Sequence, residues 1–197
     1  MIHDLGLLVS RVAVGLSFAS HGAQKAFGWF GGPGPEKAAG FMDSLGLKPG
    51  AQFATAAELN EIGCGVLMAL GLGGPLAPAG LISGMLVAAE TVHKKNGFYA
   101  AQSGVEVNLL YGSFALALAS SGYGAISLDR AFGLERIVRN PWVTAVGIAG
   151  GVLSAYLLLG QRDTSPPDGT LATPTVKGAN HNGASSAAPS SPATGSA

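Results

Sequence analysis

The sequence predicts an all-α fold, an integral membrane bundle of helices. Charged residues make up only 11% of the 197 residues, against about 25% in soluble domains. Hydrophobic residues supply 48%, and there are 31 glycines, a residue that lets membrane helices approach closely. The sequence also contains five predominantly apolar stretches, whose lengths are close to the roughly 20 residues that a helix needs to cross the hydrocarbon layer.

The predicted spans are justified in chain order by their length, composition and flanking residues. The first is retained rather than cleaved as a signal peptide, because Arg11 interrupts its apolar core and no basic segment precedes it. The second and third are antiparallel neighbours, since a Gly- and Pro-rich turn at 71–75 joins them. Pro141 is a helix starter before the last span. The five predicted spans are 5–27, 53–72, 76–94, 105–121 and 142–159.

The chain divides into three predicted regions. Residues 1–133 form a four-helix membrane core, whose loop 28–52 lies at the membrane interface because it carries Trp29, Phe30 and a short amphipathic stretch. Residues 134–160 supply a fifth, C-terminal transmembrane helix. Residues 161–197 are rich in Ser, Pro and Ala and are predicted to be a disordered tail, since they offer little apolar surface to bury.

Composition also argues against several classes of function. The formal net charge is zero and the sequence has no basic run, so it does not favour nucleic acid as a partner. Cys64 is the only cysteine, which leaves no intrachain disulfide and no Cys-x-x-Cys motif. Glu90 and His93 have the Glu-x-x-His spacing of di-iron bundles, but that site needs two such motifs. We therefore predict no metal site.

Ionisable residues inside the apolar stretches are the best indication of function. A charge in the bilayer costs roughly 2.5–3.5 kcal/mol on insertion scales and usually faces a bundle interior or a wet cavity. Antiparallel connections place the ends of spans one and three level with the starts of spans two and four. A candidate polar site is therefore predicted in one leaflet, from His21, Lys25, Glu58, Glu61, Glu90, His93 and Glu106.

Three interpretations of this polar cluster remain open. The side chains extend to water from near the helix ends, or they form an ion-pair network that holds the bundle together, or they bind a ligand, quinone or proton. Arg11 lies near the opposite membrane surface, where Asp129 is the nearest acidic candidate. We predict an Arg11–Asp129 ion pair there, with Arg11 extending to water as the alternative.

Six segments of the sequence resemble the DoxX family of small bacterial membrane proteins. The resemblance covers roughly residues 5–133, and the order of the six segments along the chain is more specific than any one segment. The segments are LVSRVAVG at 8–15, SHGAQKAFG at 20–28, LGL at 45–47, ELNEIGCG at 58–65, NGF at 96–98 and SLD at 127–129.

This resemblance implies a four-helix membrane core in the bacterial cytoplasmic membrane and an association with membrane redox processes. Our first hypothesis is a membrane oxidoreductase subunit whose polar site binds a quinone or a small sulfur or oxygen species. The chain has no haem or iron–sulfur ligand set, so electrons would come from a bound quinone or a soluble redox partner. The alternatives are a non-enzymatic scaffold that recruits soluble redox or stress-defence partners and, third, a small-molecule transporter. Substrate, catalysis and oligomeric state are left open.

Overall fold

The computed structural model describes residues 2–165, and this part of the chain is helical, without a strand. The prediction of a disordered tail falls mainly on residues 166–197, which lie outside the described residues. The main helices are α1 (Ile2–Phe27), α2 (Gly34–Ser44), α3 (Gly50–Leu70), α4 (Leu76–Ala88), α5 (Glu106–Ser121), α6 (Leu128–Ala131), α7 (Glu135–Val138) and α8 (Pro141–Leu159).

The predicted all-α membrane bundle is confirmed. Within residues 2–165, four helices are long and apolar enough to cross a membrane: α1, α3, α8 and α4 together with its extension to Asn96. That extension is a π-helical turn, Ala89–His93, followed by a short 3-10 turn. The remaining predicted span, α5, has 16 residues, and at 1.5 Å per residue it is about 24 Å long. It is therefore shorter than the roughly 30 Å hydrocarbon layer.

Close packing between α1 and α3 positions the polar residues. A Cβ atom added at Gly15 would lie 2.5 Å from the Gly65 carbonyl oxygen, and one added at Gly65 would lie 2.5 Å from the Gly15 carbonyl oxygen. Glycine at both positions thus allows backbone contact. Arg11 meets Met68 while Gly22 meets Glu58, so the two helices are antiparallel.

The helices α4, α5 and α8 complete the bundle. Near the start of α8, Gly147 approaches Pro75, and further along Ser154 meets Ser83, which makes α8 parallel to α4. Asn108 at the start of α5 donates to the Met85 carbonyl near the end of α4, so α5 runs antiparallel to both. The core between these helices contains Phe18, Met68, Leu81, Leu118 and Tyr123.

The predicted interfacial loop contains α2, which packs against α1 and α3. Trp29 and Phe30 are exposed beside it, as suits the membrane interface. Directly after α8, the Arg162 side chain donates to the Leu45 carbonyl (2.9 Å) and the Asp163 amide to the Gly46 carbonyl (2.8 Å). The packed chain therefore continues through Asp163, beyond the boundary predicted at 161.

Candidate functional site

A large apolar groove lies over α4, between α3 and α8. Its volume is about 1060 Å³, and its lining is mostly aliphatic and aromatic. Helix α4 forms its floor because both flanking helices pack against α4, while Phe41 and Met42 of α2 cover one end. The lining residues of α4 and its π-helical extension run from Leu76 to Val92, which corresponds to roughly 24 Å at 1.5 Å per residue.

A single ion pair interrupts the apolar lining of this groove. Lys25, in the last turn of α1, donates to Glu61 Oε1 of α3, and both residues line the groove. The Glu61 side chain is 13% exposed and the Lys25 side chain 28%. The structure therefore brings together two of the predicted site residues and places their pair in the wall of an apolar groove.

Glu58 lies one helical turn from Glu61 and is more deeply buried, with 8% of its surface exposed. It is not among the residues that line the groove. Two buried carboxylate oxygens, Glu58 Oε1 and Glu61 Oε2, have no hydrogen-bond partner in the described part of the chain. Two carboxyl groups thus lie beside one ammonium group, that of Lys25.

Glu90 and His93 do not join this pair, although helical periodicity placed them on the inner face of α4. The π-helical turn Ala89–His93 changes the rotation per residue, so that Thr91 becomes buried and Glu90 exposed. Glu90 instead bonds Lys94 on its own helix (2.8 Å). His93 Nδ1 lies 2.7 Å from the Ser103 carbonyl oxygen.

The remaining predicted site residues have local roles at the same end of the bundle. Glu106 accepts a hydrogen bond from the Ala100 amide (2.8 Å) and so holds the loop before α5. His21 is exposed, with Nδ1 3.3 Å from Gln24 Oε1. The predicted cluster of seven residues therefore separates into a group at the α1–α3 contact (Lys25, Glu58 and Glu61) and a peripheral group.

Several polar residues of the groove were not singled out from the sequence. Asn60 donates to the Gly80 carbonyl (3.0 Å), and the Ser154 hydroxyl donates to Ser83 Oγ (2.8 Å) across the α4–α8 contact. Thr91 also lines the groove, and its hydroxyl donates to the carbonyl one turn earlier. Their internal bonds leave the groove apolar along most of its length. In the sequence, the small residues of α8, such as Gly147 and Gly151, are the signal that could have indicated a close helix contact there.

The predicted Arg11–Asp129 ion pair is not formed, although both side chains are buried at 2% exposure in one cluster. Arg11 donates to the carbonyls of Met68, Ala69 and Ile126. Asp129 accepts from the amides of Gly73 and Gly74, at 2.9 Å each. The ends of helices leave backbone carbonyl and amide groups without partners. Arg11 binds such carbonyls at the end of α3 and Asp129 binds such amides before α4, so the two side chains do not bind each other.

Tyr123 and Gly71 complete the cluster around Arg11 and Asp129, which lies at the end of the bundle opposite the Lys25–Glu61 ion pair. The Tyr123 hydroxyl donates to the Gly74 carbonyl (2.7 Å), and burial raises the pKa of the phenol, which therefore remains a donor. A Cβ atom at Gly71 would lie 2.6 Å from the Arg11 guanidinium. Gly71 has φ +68°, so glycine both ends α3 and leaves space for Arg11. This cluster connects the helices and has a structural role.

A metal site finds no support in the described residues, where no group of three or more His, Cys, Asp or Glu side chains could hold an ion. The groove instead suits a long apolar molecule. One charged pair in its wall can orient a polar head group by hydrogen bonding.

Comparison with known proteins identifies one family. Residues 6–94 match the family model described as DoxX, which spans α1 to α4, including Lys25, Glu58 and Glu61. The match covers a little under half of the chain and ends before α5 and α8. No curated protein and no solved structure matches the chain. The protein is a multi-pass membrane protein, and its residues 6–94 match the DoxX family model.

Proposed function

We propose that this protein is the quinone-binding membrane component of a redox system in the bacterial cytoplasmic membrane. The observation that carries the proposal is the apolar groove with one charged pair, Lys25–Glu61, in its wall. A membrane quinone has the same two parts, a long apolar tail and a polar ring. The match of residues 6–94 to the DoxX family model supports the association with redox systems.

The size of the groove supports this assignment. Ligand sites typically have volumes of about 300–1,000 Å³ and are largely apolar, with few placed polar groups. The groove, at about 1060 Å³, is slightly larger than that range, and its roughly 24 Å length along α4 accommodates an extended prenyl chain. The tail lies along α4 and α8, and the ring lies at the ion pair.

Lys25 is the residue that binds the ring. An ammonium group has three N–H donors, and one of them is given to Glu61. A second donor can bond a ring oxygen of the quinone, and that bond becomes stronger as the ring gains negative charge on reduction. Glu61 holds the ammonium in place and keeps its charge partly compensated in a largely apolar environment.

Electrons reach the groove from a soluble redox partner at the same end of the bundle. The loop between α4 and α5 is held by contacts of His93 and Asn96 with the Ser103 carbonyl. It exposes Phe98 and Tyr99, whose rings pack edge to face at 5.4 Å. A held loop with exposed aromatic rings suits contact with a partner protein, since aromatic residues are enriched at such interfaces.

Quinone that co-purifies with the protein tests the assignment. Gly150 lines the groove, and a Cβ atom added there would have no neighbouring atom within 4 Å, so Gly150→Phe fills the groove without displacing a helix. Gly112 on α5 has the same free space but lies outside the groove, so Gly112→Phe is the matched control. We expect solvent extraction to recover quinone from the wild type and Gly112→Phe, and several-fold less from Gly150→Phe.

Equal recovery from all three proteins, or none from the wild type, would contradict the proposal. The scaffold alternative would then lead. In that case Phe98→Ala would release soluble partner proteins from the purified membrane complex, while groove substitutions would have no effect.

A further inference from the structure

We propose that Glu58 holds a proton at neutral pH and acts as the proton donor for the groove. The supporting observation is that the buried Glu58 and the largely buried Glu61 (13% exposed) lie one helical turn apart, beside a single ammonium group, that of Lys25. Its role towards a quinone rests on the proposed function, whereas the bound proton does not.

Charge pairing assigns the proton to Glu58 rather than to Glu61. Glu61 is bonded to Lys25 through Oε1, so its negative charge is compensated. Glu58 has no salt bridge within the described residues, and its Oε1 is buried without a hydrogen-bond partner. A buried, unpaired carboxylate is expensive, and taking up a proton removes that cost.

No other charged group near Glu58 compensates it. Helix α3 packs against α1, α2 and α4. Of these, α4 (Leu76–Ala88) has no ionisable residue. On α2, Glu36 and Lys37 are exposed and Asp43 bonds the Gly50 amide (2.7 Å). On α1, Arg11 binds carbonyls at the far end of α3, and His21 is exposed. This leaves Lys25 as the cation beside both carboxyl groups, and it is already paired with Glu61.

The position of Glu58 suits proton delivery. Reduction of a quinone to a quinol takes two electrons, which the soluble partner supplies, and two protons. Glu58 lies on the side of Glu61 nearer to the start of α3 and the aqueous end. It releases its proton to Glu61, whose carboxyl group passes it to a ring oxygen, and Glu58 then takes a replacement from the aqueous side. Two such transfers complete the reaction.

Infrared spectroscopy of the purified, quinone-free protein tests the bound proton directly. At neutral pH we expect the carbonyl band of a protonated carboxyl group, shifted in D₂O, in the wild type. Glu58→Gln should lose this band, and Glu36→Gln, an exposed acid on α2, should retain it. Absence of the band, or its loss in Glu61→Gln but not in Glu58→Gln, would overturn the proposal.

A stability comparison separates the two acids by a second route. Glu58→Gln replaces a neutral acid with a neutral amide, so its melting temperature should stay within about 2 °C of the wild type, a small change for a protein of this size. Glu61→Gln leaves Lys25 without a counter-charge and should melt lower. Equal destabilisation by both substitutions would show that Glu58 is charged. A wild-type protein that shows the infrared band but binds no quinone would instead contradict only the proposed function.

Discussion

Replacement of Arg11 by leucine should destabilise the bundle. Arg11 is 2% exposed and donates to the carbonyls of Met68, Ala69 and Ile126. These bonds connect α1 to the end of α3 and to the segment before α6. Leucine is apolar and smaller, so it removes all three bonds and leaves buried carbonyl groups without this donor.

The size of the effect follows from these bonds. The Met68 carbonyl also accepts from the Gly71 amide (3.1 Å), so we count only the other two. A hydrogen bond to a charged group contributes about 1.5–3 kcal/mol, which gives about 3–6 kcal/mol for two. Burial of the leucine side chain offsets about 1.5–3 kcal/mol of this. At the midpoints of these ranges the net loss is about 2 kcal/mol, or about 4–8 °C in melting temperature on the scale of 150–250-residue proteins.

Thermal unfolding in detergent, followed by the helical circular-dichroism signal, measures this loss. Arg136→Leu is the matched control, because Arg136 is an exposed arginine on α7. We expect Arg11→Leu to melt below both the wild type and this control. A melting temperature within about 2 °C of the wild type would refute the reasoning, since on this scale it would mean that the hydrogen bonds of Arg11 add almost nothing.

Three further outcomes are expected from the same melting assay. Lys25→Met and Glu61→Gln should be non-additive by about 0.5–3 kcal/mol in a double-mutant cycle, because the two residues are directly bonded; additive effects would count against the pair. Gly15→Leu should cost about 1–3 kcal/mol or more, because its Cβ would lie 2.5 Å from a carbonyl oxygen of α3; wild-type stability would contradict that packing. Truncation after Gln161 should melt lower than truncation after Thr164, since only the former removes the two hydrogen bonds to the loop before α3; equal melting would show that these bonds are unimportant.

The positions of the long helices were predictable because each depends on local composition and length. The apolar stretches of the sequence end within a few residues of α1, α3, α5 and α8. The turn at 71–75 correctly indicated an antiparallel α3 and α4, since glycine and proline there cannot continue a helix. The grouping of Lys25 with Glu61 followed from the same antiparallel order.

The inner face of α4 could not be predicted past Ala88. A constant 100° per residue placed Glu90 and His93 beside Glu61, but the π-helical turn shifts the register and buries Thr91 instead. Nothing in the local sequence marks such a turn.

The Arg11–Asp129 prediction failed for a different reason. The sequence shows charges but not the free backbone groups of helix ends, which here bind both side chains. The groove could not be predicted either, because it depends on α8 lying parallel to α4 and separate from α3.

The most direct test of the central claim is the location of a bound quinone. A quinone analogue with a photoreactive group on its tail is added to the protein in lipid vesicles, irradiated, and mapped by peptide mass spectrometry. We expect labelled peptides from α4 and α8, including the region around Ser83 and Ser154, with labelling lost in Gly150→Phe and kept in Gly112→Phe. Labelling of α5 or of the outer face of α1, unchanged by Gly150→Phe, would contradict the account.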